Sequence, residues 1–316
     1  MAEEARGTSD LEFLKDVPPP PEEPSKKNRV QLTLQILAVP LLILAVAVGV
    51  FVFISYVTHD SLTAAQLLAL VNGSTGQVRK QYANEFVRKL VLTRGDVSRP
   101  APAELIELVP GLIAGIRTLQ AVSPRTEEDD TTLRILISAL GAIQDRGSVP
   151  ELVRIMNEEK DAYLVAECLS ALGSIGDPGS APAIRAHLKT GTDHVRKYAA
   201  FNLAALRDPG QKGVLRGLLQ DDAVEVRWNS AFGLAYFHGD ESGAGILRSM
   251  LTPQAIPKTA ENYEWQRTHA ILMAARGLAV IKDRESLAKL KEISEKDGAI
   301  EVRDGCRKAI AIIESK

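Results

Sequence analysis

The sequence is poor in the side chains that most often carry chemistry. Its 316 residues include two cysteines, two tryptophans and five histidines, and aromatic residues make up only 5% of the chain. No histidine is followed by a glutamate, and no two histidines stand four residues apart, the spacing typical of a metal site on a helix. We therefore predict a protein that is not an enzyme and that binds neither a metal nor a cofactor.

A bias towards positive charge is also missing. The formal net charge is −2, and from residue 58 onward basic and acidic residues are equal in number. Nucleic-acid binding needs a basic excess that can displace counterions from phosphates. The composition therefore predicts no nucleic-acid partner.

Charge disappears completely in one stretch, residues 30–57. These 28 residues contain no Asp, Glu, Lys, Arg or His. As a helix the stretch would be roughly 42 Å long, enough to cross a hydrocarbon core of about 30 Å. We interpret it as a transmembrane helix. A cleaved signal peptide is the alternative, but its apolar part is usually shorter and ends at small residues.

The flanking charges predict the orientation of this helix. Lys26, Lys27 and Arg29 precede it, and no further Lys or Arg occurs before Arg79. Positive flanks usually stay in the cytoplasm. We therefore expect residues 1–29, which are proline-rich, to form a disordered cytoplasmic tail, and the rest of the chain to lie on the far side, the periplasm in a bacterium.

The C-terminal two-thirds of the chain repeats a short apolar pattern. Six equivalent anchor residues follow one another at intervals of 31 or 32 residues, with one interval of 44. The anchors are Leu140, Leu172, Leu203, Leu234, Leu278 and Ile310. This period is the signature of stacked helical hairpins. We predict an all-α fold, a right-handed α-solenoid over residues 131–316.

Each repeat has further positions in common around its anchor. Large apolar or small residues recur eight and four residues before the anchor and three after it, on one face of a helix. The residue directly after the anchor is always Gly or Ala, which allows a neighbouring helix to approach closely. A short polar residue, such as Asp177 or Asp208, stands five after most anchors and predicts a turn into a second helix.

These units resemble HEAT repeats, in particular the short repeats of phycobilisome-lyase-like bacterial proteins. The resemblance rests on the Val-Arg pairs ending in Arg196, Arg227 and Arg303, and on Gly176-Asp177-Pro178. It implies that the three arginines form a stacked structural ladder with loop carboxylates such as Asp177, Asp208 or Asp222. An anion site on these arginines is the alternative, and it would require them to be open to solvent.

Residues 58–130 match the repeats poorly and are predicted to form a divergent helical N-terminal cap, which a solenoid needs to close its open end. Ser61 is the expected N-cap of a first helix ending near Val71, and a second helix is expected over residues 76–93. The region 101–122 is expected to break at Pro110, and residues 125–130 to form an acidic loop.

Candidate partner-binding residues lie where the repeat is irregular or aromatic. Trp228 lies off the apolar positions, so it is a candidate exposed anchor, with packing against the next repeat as the alternative. Tyr198 and Tyr236 are further aromatic candidates. The long interval contains an insertion, residues 252–264, which is either a binding loop or a tolerated surface loop. Its candidate residues are Pro253, Ile256, Lys258 and Tyr263.

The sequence thus predicts a single-pass membrane protein whose solenoid binds a membrane-associated protein, while residues 30–57 contact the lipid bilayer. Two other functions remain open. The chain could be a structural or assembly subunit of a membrane complex, recognised through its transmembrane helix. It could also be a chromophore or cofactor lyase, by analogy with the bilin lyases that share this repeat.

The predicted topology can be tested with reporter fusions to the C-terminus. Because the positive flank precedes residues 30–57, we expect a fused alkaline phosphatase to be active and a fused green fluorescent protein to be dark. The opposite pattern, with protection of the C-terminus from protease in intact cells, would contradict the predicted orientation.

Overall fold

A computed structural model describes residues 62–96, 98–252 and 263–315. These residues form helices and connecting turns, with no β-strand among them, which confirms the predicted all-α fold. The predicted tail, 1–29, and the predicted membrane span, 30–57, lie outside the described residues. Within the described part, no helix combines the length and hydropathy needed to cross a bilayer.

Between residues 62 and 120, the described part of the chain contains four helices before the regular repeats: α1 (Ala64–Gly73), α2 (Gly76–Arg94), α3 (Ala103–Ile106) and α4 (Val109–Gln120). The N-cap of α1 is Thr63, not the predicted Ser61, because the Thr63 hydroxyl accepts the N–H of Gln66 and the Gln66 side chain accepts the N–H of Thr63. Pro110 lies near the start of α4, where a missing N–H is tolerated. It therefore stands at the beginning of a helix and does not break one.

The regular part consists of helical hairpins in which a long first helix is joined to a shorter second helix by a 3₁₀ turn. The first helices are α5 (Glu127–Ile143), α7 (Ala162–Ile175), α9 (Asp193–Ala205), α11 (Val224–His238), α13 (Tyr263–Val280) and α15 (Ile300–Glu314). The second helices are α6 (Val149–Glu158), α8 (Ala181–Thr190), α10 (Lys212–Gly217), α12 (Ala244–Met250) and α14 (Leu287–Lys296).

The expected acidic loop at residues 125–130 is instead the beginning of α5. Thr126 and Asp129 form a reciprocal capping box, and the acidic first turn complements the positive end of the helix dipole. The predicted boundary between the cap and the repeats, after residue 130, therefore falls inside α5. Likewise, Tyr263 and Glu264, which the sequence placed in the insertion, belong to the first turn of α13.

The repeated apolar positions build one continuous core. All six positions eight residues before the anchor, and all six positions four before it, are buried; among them are Leu164, Val226, Cys168 and Cys306. The anchors are fully buried except Ile310, which is half-buried against the core in the last helix. The predicted core positions eight and four before the anchor are confirmed, whereas three after the anchor Phe237 and Ile281 are only half-buried.

One repeat departs from the predicted register by a single residue. In four hairpins the first helix ends on a left-handed residue four after the anchor, whereas in α11 the left-handed residue is Gly239, five after Leu234. Asp240 therefore takes the turn position predicted for Gly239, and its carboxylate accepts the N–H of Ser242 at 2.9 Å. In the helix that follows, Leu247, thirteen residues after the anchor, is buried, and Ile246 is half-buried.

The small residues let successive first helices touch almost backbone to backbone. The Gly141 Cα on α5 faces Ala171 on α7, and a Cβ built on Gly141 would lie 2.7 Å from the Ala171 Cα. Between α9 and α11, a Cβ on Gly233 would collide with the Cβ of Ala204. The residue after one anchor thus meets the residue before the following anchor.

Because α5 and α7 are in close contact at Gly141, adding one methyl group there should destabilise the folded protein. We expect Gly141→Ala to lower the free energy of unfolding by about 1 to 3 kcal/mol, because the Ala171 backbone cannot move aside without shifting α7. Thermal unfolding followed by circular dichroism measures the change.

Gly245→Ala on α12 is the matched control, since a Cβ there meets nothing within 4 Å. A glycine replaced by alanine in an open helical site should leave stability unchanged or raise it slightly. Equal melting temperatures for the two variants would show that the α5–α7 contact is not tight.

Candidate protein-binding face

Aromatic and histidine side chains line one surface of four consecutive first helices. We call this set the aromatic strip: it comprises Tyr163, His194, Tyr198, Phe201, Phe232, Tyr236, Trp265 and His269. Six of the eight stand nine, five or two residues before an anchor, and Tyr236 and Trp265 stand two after and thirteen before theirs. At about 100° per residue, all of these positions fall on one side of a helix.

Rings of the strip contact one another across two helix junctions, α7–α9 and α9–α11. The Tyr163 ring of α7 lies 4.7 Å from the His194 ring of α9, which lies 5.1 Å from Tyr198. Phe201 and Phe232 stack at 6.1 Å across the α9–α11 junction. These distances are those of favourable aromatic pairs.

Several of these rings remain open to solvent. Trp265 is 67% exposed, Tyr163 62%, Tyr236 43% and Tyr198 36%. Phe232, by contrast, is buried, and it stacks on Tyr236 at 4.9 Å. The buried ring supports the exposed one, so the surface rings are held in place before any ligand arrives.

An ion pair crosses the middle of the strip. The Lys197 Nζ of α9 lies 3.1 Å from a carboxylate oxygen of Glu225 on α11, and it also lies 5.8 Å from the centre of the Tyr198 ring. The two charges cancel locally, and the lysine adds a cation–π contact.

The two histidines add no charge near neutral pH. Burial, followed by the positive charge of Lys197, lowers the pKa of His194. Desolvation, followed by Arg276 and Lys197, lowers the pKa of His269, whose ring stacks on Trp265 at 5.2 Å. Both imidazoles are therefore neutral at pH 7, and the strip presents aromatic surface with little net charge.

Of the seven predicted partner-binding residues, two lie on the strip, two are half-buried and three lie outside the described residues. Tyr198 and Tyr236 lie exposed on the strip. Trp228 is half-buried and packs against the core. It therefore fits the alternative interpretation, a packing residue, better than that of an exposed anchor. Tyr263 is also half-buried against the core. Pro253, Ile256 and Lys258 lie outside the described residues.

Sequence reasoning missed the most exposed aromatic residue, Trp265, together with Tyr163 and both histidines of the strip. A signal for three of them was present: Tyr163, His194 and His269 all stand nine residues before an anchor. That position is next to a buried one on the helix surface, so a large ring there covers the junction between two repeats.

Each of the three arginines of the resemblance donates to a backbone carbonyl. Arg227 donates to the carbonyl of Asp222 at 2.9 Å, and Arg303 and Arg196 donate to the equivalent carbonyls before their own helices. The hydrogen bonds of Asp177 and Asp208 are local instead, from the N–H groups of Gly179 and Gly210. The expected ladder, in which Arg196, Arg227 and Arg303 would bind Asp177 and Asp208, is therefore not formed.

A different set of acids connects the repeats. Arg196 donates to both oxygens of Asp221 at 3.0 and 3.3 Å, and Asp221 also accepts the N–H of Ala223 in front of α11. Burial would raise the pKa of Asp221, but the hydrogen bonds from Arg196 and Ala223 hold it below its ordinary value.

The same arrangement recurs at two other junctions, where Arg125 binds Glu159 and Arg267 binds Asp297. Glu159, Asp221 and Asp297 all stand thirteen residues before an anchor.

Both cysteines of the chain are buried, free thiols. Burial raises the pKa of Cys306 to about 11 and that of Cys168 even further, so neither thiol is ionised near neutral pH. Across 62–96, 98–252 and 263–315, no group of three or more His, Cys, Asp or Glu side chains is placed to hold a metal ion.

Comparison with known proteins supports the helical-repeat fold. A family model described as HEAT repeats matches residues 119–204. One chain of the complex of CpcE and CpcF of phycocyanin lyase from Nostoc sp. PCC7120 is similar at 18% identity, with a TM-score of 0.51, over 80% of this chain and 95% of that chain. At 18% identity, this similarity shows a shared fold and says nothing about a shared function.

A second solved structure, human deoxyhypusine hydroxylase in complex with glycerol, aligns over 76% of this chain and 100% of that chain at 20% identity. Its TM-score of 0.29 is too low to carry an argument. No curated protein matches the sequence.

The different environments of the two tryptophans can be measured in solution. Because Trp265 is exposed and Trp228 is half-buried, we expect acrylamide to quench the emission of Trp228→Phe, which retains Trp265, more strongly than that of Trp265→Phe. Equal quenching constants for the two single-tryptophan variants would contradict the exposure of the strip.

Proposed function

We propose that this protein is a membrane-anchored scaffold that binds another protein through the aromatic strip of its helical-repeat domain. The observation that carries the proposal is the set of exposed, mutually supported rings on four successive first helices. Tyrosine and tryptophan dominate the binding energy of protein interfaces, because their large rigid surfaces lose little entropy on binding.

The chemistry of the strip favours a protein partner. Its surface is mostly aromatic, with one internally neutralised ion pair and neutral histidines. Interface centres are typically depleted in charge and enriched in aromatic residues. The similar chain of known structure belongs to a complex of two proteins, CpcE and CpcF. This supports the proposal that the same fold here binds another protein.

The anchor is the second component of the proposal. Its support is the run of 28 uncharged residues at 30–57 and the basic residues before it. An anchored solenoid meets a membrane-associated partner at a high effective concentration, so a modest surface is sufficient for binding.

The test is affinity purification of the full chain from membranes in mild detergent. We expect the double variant Tyr198→Ala and Trp265→Ala to weaken the recovered interaction by at least about tenfold, since each residue is an exposed aromatic anchor. The double variant Val91→Ala and Ile106→Ala is the control, because these exposed residues lie on α2 and α3, which precede the regular repeats and carry no residue of the strip. Equal recovery by both variants would contradict the proposal.

The same purification separates the two alternatives. Replacing residues 30–57 with an unrelated transmembrane helix should keep the interaction if the strip binds the partner, and abolish it if the chain is a subunit recognised through that helix. The lyase alternative is favoured only by the fold shared with a chain of phycocyanin lyase. A bound chromophore absorbing visible light in the purified protein would support the lyase over the scaffold.

A further inference from the structure

Arg276 brings a positive charge to the edge of the aromatic strip. It stands on α13 two residues before an anchor, the position that Phe201 and Phe232 occupy on α9 and α11. A Cβ built on the next residue, Gly277, would lie 3.5 Å from the ring of Phe232. The exposed side chain of Arg276 therefore leaves α13 beside the stacked rings of Phe232 and Tyr236.

The charge of Arg276 is not neutralised by the described residues. The other arginines on the first helices of the repeats all bind a side chain or a backbone carbonyl: Arg134, Arg196, Arg227, Arg267, Arg303 and Arg307. Within 62–96, 98–252 and 263–315, Arg276 forms no hydrogen bond or ion pair. Its guanidinium is therefore available to a partner.

The surface of α13 around Arg276 is otherwise uncharged. Trp265, His269 and Met273 stand eleven, seven and three residues before Arg276, and Val280 stands four after it, so all lie on the same side of the helix. Trp265 is 67% exposed and Val280 45%. Burial and, after it, the positive charge of Arg276 lower the pKa of His269, so this imidazole is neutral at pH 7.

A partner that covers these side chains also removes the neighbouring guanidinium from water. Taking an ionised group out of water without an opposite charge is strongly unfavourable. The partner must therefore supply a negative charge at this place. A carboxylate fits best, because the planar guanidinium can donate two parallel hydrogen bonds to its two oxygens.

We propose that the segment bound by the aromatic strip carries an aspartate or glutamate that pairs with Arg276, next to apolar side chains that cover Tyr236 and Val280. The inference rests on the proposed function and specifies the chemistry of the partner. Because apolar and aromatic side chains would enclose the pair, salt screens it little. The carboxylate then selects among partners without adding long-range attraction.

The test is a selection of phage-displayed random peptides on the full chain in mild detergent. The wild-type protein should enrich peptides in which an acidic residue is flanked by apolar residues. Arg276→Glu should enrich peptides with a lysine or arginine at that place instead, because the like charge repels a carboxylate.

Arg146→Glu serves as the control for a change of charge elsewhere. Arg146 is also exposed and forms no hydrogen bond or ion pair within the described part of the chain, but it lies in the turn after α5, a helix without a residue of the strip. This variant should keep the acidic preference of the wild-type protein.

A double-mutant cycle with one selected peptide then measures the pair directly. Fluorescence anisotropy gives the Kd of the peptide, and of its form with the acid replaced by the matching amide, for the wild-type protein and for Arg276→Gln. We expect each single change to weaken binding about tenfold, and both together to weaken it little more than one alone.

Additive losses in this cycle, or a selection without an acidic preference, would overturn the inference. Failure of the proposed function gives a different result, in which the selected peptides bind equally well to the double variant Tyr198→Ala and Trp265→Ala. If that variant binds weakly while Arg276→Glu binds as the wild-type protein does, the strip is retained and only the carboxylate pair is refuted.

Discussion

The structure depends on the close approach of successive first helices. A residue after one anchor, such as Gly141 or Ala204, meets a residue before the next anchor, such as Ala171 or Gly233, and neither side has room for another methyl group. This spacing decides what else can lie on the layer of first helices. Side chains at the same repeat position are brought within a few ångströms of one another, which is why Tyr163 reaches His194 and Phe201 stacks on Phe232. The aromatic strip is therefore a consequence of the small residues beneath it.

The junction acids show how electrostatics reinforces the same stacking. Asp221 accepts the N–H of Ala223, the residue directly before the next helix, and at the same time accepts two hydrogen bonds from Arg196 of the preceding repeat. One side chain thus fixes both the start of a helix and its position against its neighbour. In a linear array each repeat contacts mainly the repeats on either side, so such local connections determine the stability of the whole stack.

The sequence was sufficient to predict the parts of the structure that repeat. Periodicity predicts the helices, the buried positions and the turn acids, because each is determined within one unit. Whether a tryptophan is exposed depends on the neighbouring unit, so Trp228 and Trp265 could not be distinguished by their local pattern. The partner of Arg196 could not be predicted for the same reason, since Asp221 belongs to the next repeat. The extra residue in α11 occurs in one repeat only, so periodicity could not predict it. The structure shows it through the left-handed backbone of Gly239, five residues after the anchor.

The pairing of Lys197 with Glu225 has a kinetic consequence for the strip. Fast association between proteins in solution often relies on long-range attraction between opposite charges, which raises the rate of productive encounters. A surface that carries an internal ion pair and neutral imidazoles exerts little such attraction. Under the proposed membrane anchoring this would be a small loss, because a partner in the same bilayer is found by lateral diffusion in two dimensions. Recognition on such a strip would then be nearly independent of salt, and its speed would be governed by the fluidity of the membrane.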